Sequence, residues 1–177
     1  MVDPIKKILL KHPSNAFLNQ RNINKQYLEL NYIAAPNFSS AISDYEIFVD
    51  ILKSFDIEIH YLPKDKSTSL DSIYTHDPCI VSNKGVVICN MGKKARKPEA
   101  NSMKKFFHSI EVPILGKIQS PGTLEGGDVV WINENTIAIG EGYRTNKEGI
   151  EQLKLLLSDQ IETVITVSIP HWNGPDD

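Results

Sequence analysis

Cysteine is scarce in this sequence, and the two residues present, Cys79 and Cys89, lack the spacing of a metal site or a disulfide framework. A reduced, cytoplasmic setting is therefore expected. No apolar run is long enough to span a bilayer. The first residues, MVDPIKKILLKHP, contain too short an apolar stretch for a signal peptide. We therefore expect no membrane partner.

The sequence also lacks a large excess of positive or negative charge. The 177 residues carry a net charge of −3, with 23% charged and 41% hydrophobic residues. This balance argues against a nucleic-acid partner and against disorder. The one basic run, KKARK at 93–97, is expected to be an exposed helix entrance. The length predicts a single domain over residues 1–177.

Two segments follow the same plan of strand, strand, helix and strand, which predicts an α/β fold with short mixed sheets. The first runs over 79–118 and the second over 129–169, with a capping box of Thr145 and Glu148 at the second helix. A partial third copy lies near the N-terminus: a strand at 7–10, a helix at 40–55 capped by Ser39 or Ser40, and a strand at 57–63. Such repetition indicates units arranged around an axis or along a stack.

Between the two full repeats lies the stretch GTLEGGDVV, in which Glu125 and Asp128 flank a pair of glycines. Glycines mark a bend or a close approach of the backbone, and acids beside such a gap could serve a cation. A surface turn with two solvated acids explains the stretch equally well. A phosphate cradle is disfavoured, because a strand follows the glycines and the acids would repel an anion.

Equivalent positions of the two repeats carry charged residues. Asp77 and Asp128 precede the first strand of each repeat, whereas Arg96 and Arg144 lie between the second strand and the helix. If the repeats surround an axis, these side chains share one pocket. Arginines bind carboxylates, and carboxylates bind a planar guanidinium, so the pocket suits an arginine-like amino acid.

The motifs YTHDPCIV, KARKPE, TLEGGDVVW and GYRTN, in this order, resemble the guanidino-group-modifying enzymes, in particular the dimethylarginine dimethylaminohydrolases. Arginine deiminases and amidinotransferases share this framework. The resemblance implies a pentein fold, an α/β propeller of five strand–strand–helix–strand units, of which about three are present. It also implies hydrolysis of the guanidinium group of arginine or methylated arginine to citrulline, on a small-molecule substrate and without a metal or cofactor.

The resemblance also implies roles for single residues. Asp77 would hold the substrate guanidinium, and Glu125 would contact it while orienting a catalytic histidine. Arg96 and Arg144 would bind the substrate α-carboxylate, and Asp128 would support the loop.

The sequence departs from this family pattern in its nucleophile. The family cysteine lies near the end of a longer chain, whereas Cys79 and Cys89 are expected to be core residues. His171 falls short of the position of the catalytic histidine, which is expected beyond Asp177, and His76 is either a pocket residue or an exposed loop residue. We expect a truncated, inactive chain that self-associates or needs a complementing C-terminal segment. The alternative is a module that binds an arginine-like ligand without catalysis.

Overall fold

The computed structural model describes residues 3–170, which form two compact units over 4–75 and 76–170. Within these residues, no helix combines the length and the apolar character needed to cross a bilayer. The single domain over 1–177 stays a prediction.

The unit over residues 4–75 contains one two-stranded parallel sheet and three helices. Its elements are β1 (Lys7–Leu10), α1 (Pro13–Ala16), α2 (Gln20–Gln26), α3 (Phe38–Lys53) and β2 (Glu58–Tyr61). A small core lies around Phe17, Ile23 and Leu70. The sequence predicts β1, α3 and β2 but neither α1 nor α2.

The predicted cap of α3 is wrong. Asn37 precedes the helix, and its side chain accepts a hydrogen bond from the backbone N–H of Ser40. An asparagine before the first turn satisfies an N–H group that has no partner within the helix. The helix therefore begins before the serines that were expected to cap it.

The unit over residues 76–170 contains two copies of one plan, as the sequence predicts. The first copy is β3 (Cys79–Ser82), β4 (Gly85–Ile88), α4 (Lys97–Ser109) and β5 (Ile114–Lys117). The second copy is β6 (Val129–Asn133), β7 (Thr136–Glu141), α5 (Lys147–Leu156) and β8 (Thr163–Ser168). In each copy the middle strand pairs antiparallel with the strand before it and parallel with the strand after it.

One apolar core joins the two copies. Its buried side chains come from both sheets, from α5 and from the loops between them, and include Val87, Met91, Leu124, Ile139 and Leu153. The mixed α/β class is thus confirmed.

Hairpin geometry decides where the charged loops lie. In an antiparallel hairpin the start of the first strand and the end of the second lie at the same end of the sheet. Cys79 pairs with Ile88 in the first copy, and Val129 pairs with Ile139 in the second. The loop that precedes each hairpin therefore lies beside the loop that leads from the hairpin into its helix.

We predict that the chain self-associates through β8. In the described part of the chain β8 pairs with β7 alone, and Ile165 and Val167 of the same strand face are 46% and 50% exposed. A strand edge with unpaired N–H and C=O groups and apolar side chains is a site for pairing with another chain. In sedimentation velocity, Ile165→Lys/Val167→Lys should shift the chain towards monomer, because the charges oppose edge pairing. Leu155→Lys, which changes an exposed leucine of α5, should not, and an unmodified chain that sediments as a monomer would contradict the prediction.

Candidate ligand-binding site

All five site residues expected from the sequence lie in loops of the unit over residues 76–170. Asp77 lies two residues before β3, and Arg96 ends the short 3-10 turn that leads into α4. Glu125 precedes a second 3-10 turn, Gly126–Asp128, and Arg144 lies between β7 and α5. Each loop pair predicted by the hairpin geometry thus contains acids and one arginine.

In the first copy the charged side chains form a three-membered cluster. Nη1 of Arg96 donates to Oδ2 of Asp77 over 2.5 Å. Nε and Nη2 of the same guanidinium donate to both carboxylate oxygens of Glu99, over distances of 2.8–3.2 Å. Burial acts to lower the pKa of Arg96, but the hydrogen bonds and charges of Glu99 and Asp77 outweigh it and hold the pKa above its ordinary value. Arg96 is therefore a permanent buried cation.

In the second copy the corresponding pair is longer and more open. Nη1 of Arg144 lies 3.4 Å from Oε2 of Glu125, and the arginine side chain is 28% exposed. Oε1 of Glu125 accepts a hydrogen bond from the backbone N–H of Lys93 over 3.1 Å. Lys93 of the first copy thus fixes the side chain of Glu125, whereas the side chain of Arg144 keeps access to solvent.

Thr145 connects the two acids of the Gly-Gly loop. Its hydroxyl donates to Oδ2 of Asp128 and accepts from the backbone N–H of Glu125 over 3.1 Å. The threonine is fully buried. Asp128 therefore contacts Thr145, which in turn contacts the backbone of Glu125; the supporting role of Asp128 stays a prediction.

The residue after this threonine caps α5. The Asn146 side chain accepts from the N–H groups of Gly149 and Thr123 and donates to the carbonyl of Pro121. The capping box of Thr145 and Glu148 is therefore wrong, because Asn146 is the cap and Thr145 serves the loop. The segment 121–128 is thus held by three consecutive residues, Arg144, Thr145 and Asn146.

The pair of glycines allows the two copies to meet. The N–H of Gly126 donates to the carbonyl of Asp77 over 2.7 Å. A Cβ atom at Gly126 would lie 2.3 Å from the carbonyl oxygen of His76, and one at Gly127 would lie 2.7 Å from Oδ1 of Asp77. Close approach of the loops, and no positive φ angle, is the reason for glycine here.

The structure thus brings the five expected residues into one network, but each arginine contacts an acid of its own copy. Three buried residues of the network, Lys93, Glu99 and Thr145, were not selected from the sequence. The basic run was expected to be exposed, yet Lys93 and Arg96 are 8% and 3% exposed. A buried basic residue near the start of a helix requires an acidic partner. The glutamate three positions after Arg96 was the sequence signal from which its burial could have been predicted.

Both cysteines lie inside the fold. Both are buried free thiols. Burial, with a smaller contribution from the charge of Asp77, raises the pKa of Cys79 to about 12, and burial also raises the pKa of Cys89 well above its ordinary value. His76 is exposed in its loop, and His171 lies outside the described residues. Within residues 3–170, no group of three or more His, Cys, Asp or Glu side chains is arranged to hold a metal.

Sequence comparison then identifies the relatives of this chain. A sequence profile described as arginine deiminase matches residues 68–174, which is more than half of the chain. The chain belongs to the arginine deiminase family. The family lies within the guanidino-modifying pentein superfamily, so the resemblance found in the motifs is confirmed.

Individual relatives match over spans of 106 to 130 residues. Dimethylarginine dimethylaminohydrolase of Pseudomonas aeruginosa is 26% identical over 130 residues, which cover 73% of this chain and 50% of the relative. Arginine deiminase of Listeria welshimeri is 34% identical over 106 residues, covering 55% of this chain and 26% of the relative. The chain thus spans half or less of the length of these relatives.

A solved structure supports the fold. A variant of the dimethylarginine dimethylaminohydrolase of Pseudomonas aeruginosa, complexed with citrulline, superposes with a TM-score of 0.75 at 23% identity. The match covers 94% of this chain and 62% of the other. At this identity the match establishes the shared α/β fold.

We predict that Thr145→Val lowers the free energy of unfolding by about 1–3 kcal/mol, the usual cost of leaving buried polar groups without partners. The nearly isosteric valine removes the hydroxyl that contacts Glu125 N–H and Asp128, and urea denaturation measures the loss. Thr163→Val on β8, where the residue is exposed, is the matched control and should change little. Equal effects of the two variants would contradict the role of Thr145.

We predict that both cysteines of the folded chain resist alkylation at neutral pH. A thiol whose pKa lies near 12 is protonated at pH 7, and the thiolate is the reactive form. Iodoacetamide followed by mass spectrometry should find both thiols unmodified in the folded chain and both modified in urea. Rapid labelling of Cys79 without denaturant would show that the thiol is activated.

Proposed function

We propose that this chain forms the substrate-binding part of a hydrolase that acts on the guanidinium group of arginine or methylated arginine. Family membership supports the guanidino class, and the network of Asp77, Glu125 and Arg144 supports binding of an arginine-like ligand. The single observation that carries the proposal is the approach of Asp77 to the Glu125 loop at Gly126. It joins the two loops that carry Asp77 and Glu125, the acids of successive copies.

The exposed fractions of the side chains suggest how the ligand is held. Asp77 is 21% exposed and binds the guanidinium, while Glu125, which is nearly buried, completes the acidic end. Arg144 binds the α-carboxylate, since its contact with Glu125 is long and its guanidinium reaches solvent. Arg96 stays a predicted second carboxylate ligand, because Glu99 and Asp77 engage its guanidinium in this structure. Asp128 supports the loop through Thr145.

The chemistry follows from these placements. A guanidinium carbon is a poor electrophile, and paired carboxylates fix the cation in the orientation that attack requires. A thiolate adds to this carbon, an amine leaves with a proton from a histidine, and water releases citrulline. No described residue supplies the thiolate. We therefore propose that a complementing C-terminal segment provides the cysteine and the histidine, in a cytoplasmic setting that keeps thiols reduced.

The proposed fold is a pentein propeller of which this chain forms about three units. Two complete copies of the same plan, and the α/β match to dimethylarginine dimethylaminohydrolase, support it. The partial third copy is β1, α3 and β2, in which the two strands pair in parallel.

Binding without catalysis is the second candidate function, because burial keeps both thiols protonated. Assay of citrulline after incubation with arginine or dimethylarginine tests whether this chain has a nucleophile of its own. We expect no citrulline from this chain alone. Citrulline formation that Cys79→Ser abolishes would show instead that Cys79 is the nucleophile.

We predict that the chain binds L-arginine and that Asp77→Ala and Arg144→Ala each weaken binding on the order of 30-fold or more, since loss of one partner of a charged pair costs about 2–5 kcal/mol. Isothermal titration calorimetry measures both constants. The controls are Asp44→Ala and Arg21→Ala, which remove an exposed acid and an exposed arginine of the other unit and should leave affinity unchanged. Absence of heat with every guanidino compound would end the proposal.

A further inference from the structure

Glu99 is a buried acid to which neither the sequence motifs nor the proposed chemistry gives a role. It lies in the first turn of α4, and its side chain is 2% exposed. A carboxylate there is favoured by the positive end of the helix dipole. Both of its oxygens, however, accept from one guanidinium, that of Arg96. Arg96 is thus a direct cationic partner of this carboxylate.

In the cluster of Asp77, Arg96 and Glu99, two carboxylates contact one guanidinium. The pair of Arg96 and Glu99 is almost fully enclosed, with side chains 4% and 2% exposed, whereas Asp77 is 21% exposed. Asp77 is therefore the carboxylate of this cluster that solvent reaches. Nη1 of Arg96 donates to Asp77, whereas Nε and Nη2 of the same guanidinium donate to Glu99.

We infer that Glu99 is a positioning residue that neutralises Arg96, so that the charge of Asp77 stays available to a cationic ligand. This inference rests on the proposed function in one respect, that Asp77 faces the guanidinium. In a site of low dielectric constant an uncompensated Arg96 would repel a second guanidinium only a few ångströms away. It would also hold Asp77 as its own counter-charge. Glu99 thus acts on the ligand through Arg96 and does not touch the ligand.

The test compares two small probes of the same shape and different charge. Methylguanidinium is a cation, and methylurea is neutral, and both lack the carboxylate that Arg144 would bind. Binding of each is followed by NMR at the amide of Gly127, which lies beside Asp77. We expect the unmodified chain to prefer methylguanidinium and Glu99→Gln to reduce that preference roughly tenfold, the change that about 1.4 kcal/mol produces. A purely structural role of Glu99 would weaken both probes alike.

Two further variants keep the test decisive if Glu99→Gln folds poorly. Glu99→Asp retains the charge and should retain the preference for the cation. The double variant Arg96→Gln/Glu99→Gln removes the enclosed pair as a neutral unit, so Asp77 again carries an uncompensated charge and the preference should return. Glu151→Gln, which neutralises an exposed glutamate of α5, is the matched surface control.

Four outcomes would overturn the inference. They are an unmodified chain that does not prefer methylguanidinium, a Glu99→Gln chain that keeps the full preference, equal weakening of the two probes, and a double variant or Glu99→Asp without the preference. L-arginine, titrated in parallel, reports on the proposed function separately. Binding of methylguanidinium without binding of L-arginine would leave the role of Glu99 in place and contradict the proposed substrate class.

Discussion

The site depends on one close backbone contact, the hydrogen bond from Gly126 N–H to the carbonyl of Asp77. This bond joins the loop before β6 to the loop before β3, and the space between the loops has no room for a side chain at position 126. Overpacking by one methyl group in a tight contact typically costs about 1–3 kcal/mol, so an alanine here would press the loops apart. Because Glu125 directly precedes this glycine, its distance from Asp77 is set by backbone, and backbone positions vary less than those of long side chains. The glycines are therefore structural, because they set the separation of the loops that carry Asp77 and Glu125.

Hairpin topology adds the second constraint. Each copy brings an acid from before its first strand next to an arginine from after its second strand, so the site contains paired opposite charges before any ligand arrives. The arginine-like ligand that we propose would have to exchange partners with these pairs. Exchange is costly where the pair is enclosed and hydrogen-bonded on all sides, and cheaper where it is long and partly hydrated. The enclosed pair of Arg96 and Glu99 is of the costly kind, and the open pair of Arg144 and Glu125 is of the cheaper kind.

The sequence predicts most of the elements of the unit over residues 76–170, because strand alternation, two-residue turns and a proline at the start of α4 are local signals. It also locates the candidate residues, since the two copies place Asp77 with Asp128 and Arg96 with Arg144 at equivalent positions, and Glu125 flanks the pair of glycines. It fails where a tertiary contact overrides a local pattern. Thr145 has the local pattern of a cap, yet a loop from elsewhere in the chain takes its hydroxyl and Asn146 caps the helix. The run at 93–97 has the composition of a solvated surface, yet its hydrogen-bond partners Asp77, Glu99 and Glu125 draw two of its members inside. The charges along the sequence do not show which of these side chains come within hydrogen-bonding distance of one another.

The two arginines show how far the copies have diverged around a common plan. In the first copy, Arg96 stands at the N-cap position of α4, where no side chain caps the helix, and the glutamate one turn later fixes its guanidinium. In the second copy, Asn146 takes over the cap, the position three residues after Arg144 is Lys147, and a lysine offers an arginine no hydrogen bond acceptor. Among the described residues, Arg144 is therefore left with its long contact to Glu125, and its side chain is 28% exposed. The same loop thus yields an enclosed cation in one copy and a more open one in the other, which is the asymmetry that the proposed ligand, with one positive and one negative end, would require.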